Sequence, residues 1–219
     1  MSCFIEKEGV LRCPSFDEFV WQKHGFGSRI ANPHADITLR QVHSAAVCNA
    51  DGIADRQVDG DALVSDRVGQ SIGVRTADCV PLLLLDRSTR AIAAIHAGWR
   101  GTAAQIARAT VNKLREEYGS RPDDLYVAIG PCIRRCCYEV SPSLAELFIR
   151  WPGSVQNPPR SKPSLDLAEA NRRQMLDAGV PRTQVFDCAL CTSCLADRFF
   201  SFRREPGNPG RMLSSICRI

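Results

Sequence analysis

The 219-residue chain has only four histidines, His24, His34, His43 and His96, beside three tryptophans, three tyrosines and three methionines. The histidine count limits its metal chemistry. A blue-copper site alone takes two His and a Cys, and an oxygen-reducing copper cluster needs several further imidazoles, so four cannot furnish both. The chain has no Gly-x-Gly-x-x-Gly and no P-loop, which removes the dinucleotide and nucleoside-triphosphate fingerprints. It has no run of Lys or Arg: the net charge is +4, and Arg134-Arg135, Arg172-Arg173 and Arg203-Arg204 are isolated pairs. That pattern does not make a nucleic-acid stripe. The longest apolar run, Val80 to Leu85, is too short to cross a bilayer. The start, Met1 to Glu8, has no signal-peptide apolar stretch. The expectation is a cytoplasmic protein with no membrane or nucleic-acid partner. Nothing in the composition speaks to oligomeric state.

Cysteine, by contrast, is abundant, at eleven residues. An odd count without a leader argues against a disulfide framework, and most of these thiols are expected to pack as small hydrophobes. Hydrophobic residues make up 44% and charged residues 24%, an ordinary globular balance. No repeat or linker divides the chain, so residues 1–219 are read as one domain. The loosest stretch, Trp151 to Pro163, holds four prolines and Gly153 and reads as a surface loop.

The middle is the best-patterned region. Strands are expected at Asp61 to Ser65, Ser71 to Thr76, Val80 to Leu85 and Ala91 to His96, the last two apolar enough to be buried on both faces. A helix is expected from Thr102 to Tyr118, with Ala103, Ala107, Val111, Leu114 and Tyr118 on one face. Thr102 is its expected N-cap and Gly119 its stop. Leu125 to Ile129 is the next strand. A second helix starts at Ser164 or Asp166 and runs to Ala178, and strands near Phe199 to Arg203 and Met212 to Cys217 close the chain. Mixed elements of this kind make a layered α/β fold.

Candidate chemistry gathers at the ends of the buried strands. His96 ends one, Cys79 starts another, and His43 follows Leu39-Arg40-Gln41-Val42. Two imidazoles and a thiolate suit a catalytic zinc, which keeps three protein ligands and an open fourth position. Their separations of 36 and 17 residues match no compact zinc motif. The same residues also fit a nucleophile–base pair of Cys79 with a histidine, or a plain core thiol beside two satisfied imidazoles. Asp78 is a candidate second carboxylate that orients a ligand. Arg100, Gly101 and Thr102 open a helix, where free amides and a guanidinium receive anions. Arg75 is a second candidate anion contact, and Cys132, after Gly130-Pro131, is a candidate pocket-lining thiol. Cys191-Thr192-Ser193-Cys194 is a lone Cys-x-x-Cys. A structural zinc would require a second pair, and Cys136-Cys137 has unconvincing spacing for it.

At these residues the chain resembles a known family, the YfiH-type or DUF152 laccase-domain proteins, which include purine nucleoside phosphorylases. The resemblance rests on His24 to Arg29, Gln41-Val42-His43, Asp59 to Val64, Thr76-Ala77-Asp78-Cys79-Val80-Pro81 and Ile95-His96-Ala97-Gly98-Trp99-Arg100-Gly101. It continues through Ala128 to Ile133, Cys136 to Val140, Asp166-Leu167 with Asn171, Phe199 to Arg204 and Gly210-Arg211-Met212. It implies a layered α-β-β-α sandwich with mixed sheets. It implies zinc on His43, Cys79 and His96; of the candidates read above, Cys79, Arg100 and Asp78 are expected to be catalytic and Arg75, Gly101 and Cys132 to meet substrate. The implied reactions are phosphorolysis of adenosine, inosine and methylthioadenosine, and adenosine deamination, so the implied partners are a purine nucleoside and phosphate. Copper is an adventitious alternative, and the family's older label is a copper polyphenol oxidase. A cysteine hydrolase or amidase using Cys79, and a non-catalytic metal-binding module, are the other readings. Three departures from the family pattern stand out. The stretch between Arg29 and Leu39 is short, Ser44 replaces a small Gly, and Arg134-Arg135 replaces Gly-Pro.

Overall fold

The computed structural model describes residues 4–159, 161–207 and 210–219. Strands β1 (Ile5–Lys7) and β2 (Val10–Arg12), the one-turn helix α1 (Pro14–Asp17), β3 (Gln22–Phe26) and β4 (Val47–Asn49) precede the patterned middle. That middle comprises β5 (Ala62–Ser65), β6 (Ser71–Thr76), β7 (Val80–Asp86) and β8 (Ile92–Ala97). Helices α2 (Trp99–Ala103) and α3 (Ile106–Tyr118) follow, then β9 (Leu125–Ile129), α4 (Pro142–Glu146), β10 (Val155–Gln156) and β11 (Ser164–Leu165). Helix α5 (Leu167–Asp177), β12 (Val185–Asp187) and β13 (Met212–Arg218) end the chain.

Two larger sheets form. One runs β12-β9-β7-β8-β5-β4 and the other β1-β2-β3-β13-β6. Pairing is antiparallel except at the edges of the six-stranded sheet, where β12 lies parallel to β9 and β4 to β5. All seven residues of β7 are buried, and its two faces go to different cores. Leu82 and Leu84, with Ala93 and Ile95 of β8, pack on Ile106, Val111 and Leu114 of α3 and Met175 of α5. Leu83 and Leu85, with Ile92 and Ala94, pack on Phe26, Ile72, Val74 and Ile216 of the other sheet. A strand covered on both sides has no polar face to alternate with, which is why β7 reads as an unbroken apolar run. Each such leucine contributes about 2 kcal/mol on burial.

The result is the expected layered sandwich, with unequal outer layers. Helices α3 and α5 cover the six-stranded sheet. On the five-stranded sheet, the short segment after Arg29 lies close: a Cβ built at Gly73 would meet the Ala35 Cβ at 2.8 Å. The Asp36 amide donates to the Ser71 carbonyl at 3.0 Å, and the Ser71 amide donates back to the Asp36 carboxylate at 2.7 Å.

Several sequence expectations are corrected or narrowed. The helix expected from Thr102 is two helices, broken at Gln105, whose φ is 63°. Thr102 is not its cap but is buried inside α2. Its hydroxyl oxygen accepts from Asn171 Nδ2 at 2.9 Å and its carbonyl from Gln174 Nε2 at 2.8 Å, so α5 fixes that turn. The second long helix begins after Asp166, whose carboxylate accepts the Glu169 amide at 3.1 Å; Ser164 and Leu165 are strand β11. Residues 199–203 form no strand but a turn that buries Phe199 and Ser201. The expected loop from Trp151 to Pro163, whose residue 160 lies outside the described residues, contains β10, paired with β11.

Candidate metal and anion site

The site grows from one buried carboxylate. Asp61 begins the turn into β5 and is fully buried. An isolated ionised carboxylate there would be costly, so the chain surrounds it with donors. The amides of His43 and Ser44 donate to it at 2.9 and 2.6 Å, and the Ser44 hydroxyl donates at 2.8 Å. The Val42 amide adds a longer bond at 3.3 Å. Three consecutive amides can converge in this way because His43 takes a left-handed φ of 61°, the geometry of an anion-binding nest. Burial would raise the Asp61 pKa, but the His96 and Ser44 hydrogen bonds outweigh it and bring it down to about 2.

Asp61 also joins His96. His96 Nδ1 donates to Asp61 Oδ1 at 2.7 Å, which turns Nε2 of the same ring toward Cys79. The ligand atoms of His43, Cys79 and His96 all lie within 4.8 Å of one another. The two imidazole rings meet edge to face, with centroids 4.8 Å apart. Burial would push the Cys79 thiol up, yet the charge of His96 and hydrogen bonds from both histidines bring it down. Burial would lower His96, but Cys79 and Asp61 raise it.

Gly98 makes room for this group. A Cβ built there would meet His43 Cδ2 at 3.0 Å and the Cys79 sulfur at 3.1 Å. Gly101 does similar work one turn on: a Cβ there would meet the Ser44 carbonyl oxygen at 2.7 Å.

These three side chains open onto a cavity of about 730 Å³. Among the described residues, six arginines line it: Arg40, Arg56, Arg75, Arg100, Arg203 and Arg211. Arg40 is paired with Asp59. Among the described residues Asp78 is the one carboxylate in the lining, and its oxygens are occupied. They accept from the Thr192 hydroxyl at 2.6 Å, the Ser201 hydroxyl at 3.1 Å and the Arg203 amide at 2.7 Å. Such a wall favours anions. Apolar surface comes from Leu39, Trp99, Ile133, Tyr138, Leu167 and Phe202.

The sequence-derived candidates fall out as follows. His43, Cys79 and His96 come together from three separate segments. Arg75 and Arg100 both line the cavity. Arg75 is anchored by Gln41, whose side chain pairs with its backbone amide and carbonyl, each at 2.8 Å. The Arg100 guanidinium lies 4.3 Å from the Trp99 ring centroid. Three candidates take other places in the structure. Asp78 lines the cavity, but its oxygens accept from Thr192, Ser201 and Arg203, which ties the turn at 201–203 to the start of β7; its own φ is 86°. Cys132 is fully buried in the core, its thiol pushed up by burial, and does not line the cavity. Gly101 serves close packing rather than the cavity wall. The orienting carboxylate, Asp61, was not singled out from sequence, because nothing in a lone Asp 18 residues after a His marks it as buried. Arg203, Arg211, Phe202 and Tyr138 were likewise missed, since distant turns deliver them. The third departure, Arg134, is half-buried and bonds Asp187 at 2.8 Å and Asp166 at 3.3 Å.

Comparison with known proteins adds the following. Residues 24–219 match the family described as multi-copper polyphenol oxidoreductase laccase. A purine nucleoside phosphorylase of Bacteroides thetaiotaomicron is 42% identical over 161 residues, which is 71% of this chain and 60% of that one. Adenosine deaminase RL5, from an unknown prokaryotic organism, is 39% identical over 163 residues, 72% of this chain and 62% of that one. The matched stretch thus spans about three fifths of these relatives. Among solved structures, the Bacillus licheniformis hypothetical protein YfiH superposes with a TM-score of 0.90 at 26% identity, covering 100% of both chains. No helix among the described residues is long and apolar enough to cross a membrane.

Proposed function

The chain belongs to the multi-copper polyphenol oxidoreductase laccase family, and from that membership we propose that it is a zinc-dependent purine nucleoside enzyme. It phosphorolyses adenosine, inosine and methylthioadenosine, and it deaminates adenosine. The observation that carries this reading is the His43–Cys79–His96 set at the base of an arginine-lined cavity. The names of the relatives, a purine nucleoside phosphorylase and an adenosine deaminase, support the same substrate class.

The donor set fits zinc. Two imidazoles and one thiolate are its usual ligands, three in number leaves a fourth position for solvent or substrate, and the Asp61–His96 bond is the outer-shell contact that fixes a ligating ring. When bound, zinc supplies Lewis acidity at the reacting atoms. The chain's own residues do the rest. Arg100 and Arg75 hold phosphate by charge-assisted hydrogen bonds. Trp99, Tyr138 and Phe202 offer faces on which a purine packs. In phosphorolysis a phosphate oxygen attacks the anomeric carbon, the bond to the purine nitrogen breaks, and the base leaves with its electron pair and takes a proton. In deamination water adds at the purine carbon bearing the amino group and ammonia leaves.

The laccase label fits the ligand inventory poorly. His24 is buried in the opposite sheet, with Nε2 accepting the Cys13 amide at 2.9 Å, and His34 is exposed beside Asp36. Two imidazoles remain, too few for a cluster of coppers.

The test incubates purified protein with adenosine, with and without phosphate. The expected products are adenine plus ribose 1-phosphate, and inosine; both are lost after chelation and restored by zinc. Appearance of neither product from the zinc-loaded protein overturns the reading. Loss of activity in Cys79→Ser with zinc still bound at full stoichiometry favours a cysteine nucleophile instead.

A further inference from the structure

We propose that Cys136, Cys137, Cys191 and Cys194 form a second metal site, a closed tetrathiolate that holds a structural zinc ion. The four sulfurs lie within 4.8 Å of one another. Two separations are shorter still: Cys137 to Cys194 at 3.3 Å and Cys136 to Cys194 at 3.5 Å. Sulfurs on a regular tetrahedron at about 2.3 Å from zinc stand ~3.8 Å apart, so these thiols already bracket the size of the ion.

The backbone around them is shaped for thiolates. In the first segment the amides of Cys137 and Tyr138 fold back on the Arg134 carbonyl at 2.9 and 3.1 Å, which turns two neighbouring cysteines toward one point. In the second, the Leu195 amide closes on the Cys191 carbonyl at 3.1 Å. Binding releases four protons: four thiols and Zn²⁺ become a tetrathiolate of net charge −2, with no electron transferred. Basic side chains, already paired with carboxylates, lie at both turns. Arg204 grips the Cys-x-x-Cys turn through the carbonyls of Thr192 and Ser193 at 2.8 and 2.9 Å, and Arg134 and Arg135 flank the other turn.

The two segments also build the cavity described above. Tyr138 follows Cys137 and lines it. Thr192, between the paired cysteines, donates to Asp78, the residue before Cys79. An ion on the four sulfurs therefore staples together the turns that set the Tyr138 wall and the Asp78–Cys79 corner. It has no open position and takes no part in the reaction.

The experiment measures zinc per chain by elemental analysis, then X-ray absorption at the zinc edge, on the full-length protein purified with zinc under reducing conditions. Because the second site is independent of His43, the His43→Ala variant isolates it. That variant is expected to keep one zinc whose inner shell is four sulfurs at about 2.3 Å. Cys136→Ser/Cys194→Ser, changed at two exposed positions, is expected to lose one equivalent relative to the parent and to keep an ion with nitrogen in its shell. A metal-free His43→Ala, or one whose ion has only a nitrogen-containing shell, overturns the proposal. So does an intact mass showing Cys136, Cys137, Cys191 and Cys194 joined as disulfides in the zinc-loaded protein. If the double cysteine variant does not fold, the sulfur shell of His43→Ala still decides. An active enzyme without the second ion, or an inactive one with it, separates this proposal from the nucleoside reading.

Discussion

The Asp61 carboxylate stands 2.7 Å from His96 Nδ1 and is wholly shielded from water. One oxygen pair thus orients an imidazole and closes the nest that carries His43. Asp61→Asn keeps the volume but loses the charge and presents a donor to amides that need an acceptor. Zinc affinity is expected to fall roughly 10- to 100-fold, read by competition with a chelator of known strength. Unfolding free energy is expected to fall by about 1–3 kcal/mol, read in urea. An unchanged zinc affinity would remove Asp61 from the positioning role.

Gly98 is the position where the smallest substitution should do the most damage to the metal. The Cβ of Gly98→Ala would enter between His43 and Cys79, closer than ordinary contact to both. Zinc content is expected to drop well below one equivalent at this site while the circular dichroism spectrum stays that of the parent. A variant that binds zinc normally would show that the two side chains yield easily.

Arg100 and Arg75 are expected to divide the phosphate contact. A charge-assisted bond is worth ~1.5–3 kcal/mol, so Arg100→Ala should raise the phosphate KM roughly 10- to 100-fold. Arg100→Lys should recover part of it, because a lysine restores charge but not the fork or the stacking on Trp99. Deamination, which uses no phosphate, should change far less in either variant. Equal losses in both reactions would assign Arg100 to nucleoside binding instead.

Stability should fall below neutral pH because of His24. Burial, helped by Arg12, lowers its pKa from 6.5 to about 4, and its Nε2 accepts the Cys13 amide. The unfolded chain takes up a proton that the folded chain refuses. The stabilising effect is therefore complete above about pH 6.5 and is lost as pH falls through about 4. The full span corresponds to about 3 kcal/mol. Urea midpoints measured between pH 7 and 4 should slope accordingly in the parent and flatten in His24→Gln. Parallel slopes would place the acid sensitivity elsewhere.

Much of the frame is legible along the chain because it depends on neighbours in sequence. The double-sided burial of β7 is written in an unbroken apolar run, and α5 in the Asp166 cap and Gly179 stop. The three candidate ligands could be named as residue types at strand ends, but their spacing alone favoured a plain core and left a nucleophile pair open. The break at Gln105 was not legible, because the bonds that fix the Thr102 turn come from Asn171 and Gln174, about seventy residues later.

Local chemistry, then, decided which segments are strands and helices and which residue types stand at their ends. Tertiary structure alone decided that a carboxylate 35 residues before His96 would aim that ring. It alone brought four cysteines from two turns some 57 residues apart within reach of one ion. The reason is physical: periodicity and capping act over a turn or two of chain, whereas convergence on a point depends on how two sheets pack, and packing brings together residues with no fixed separation in sequence.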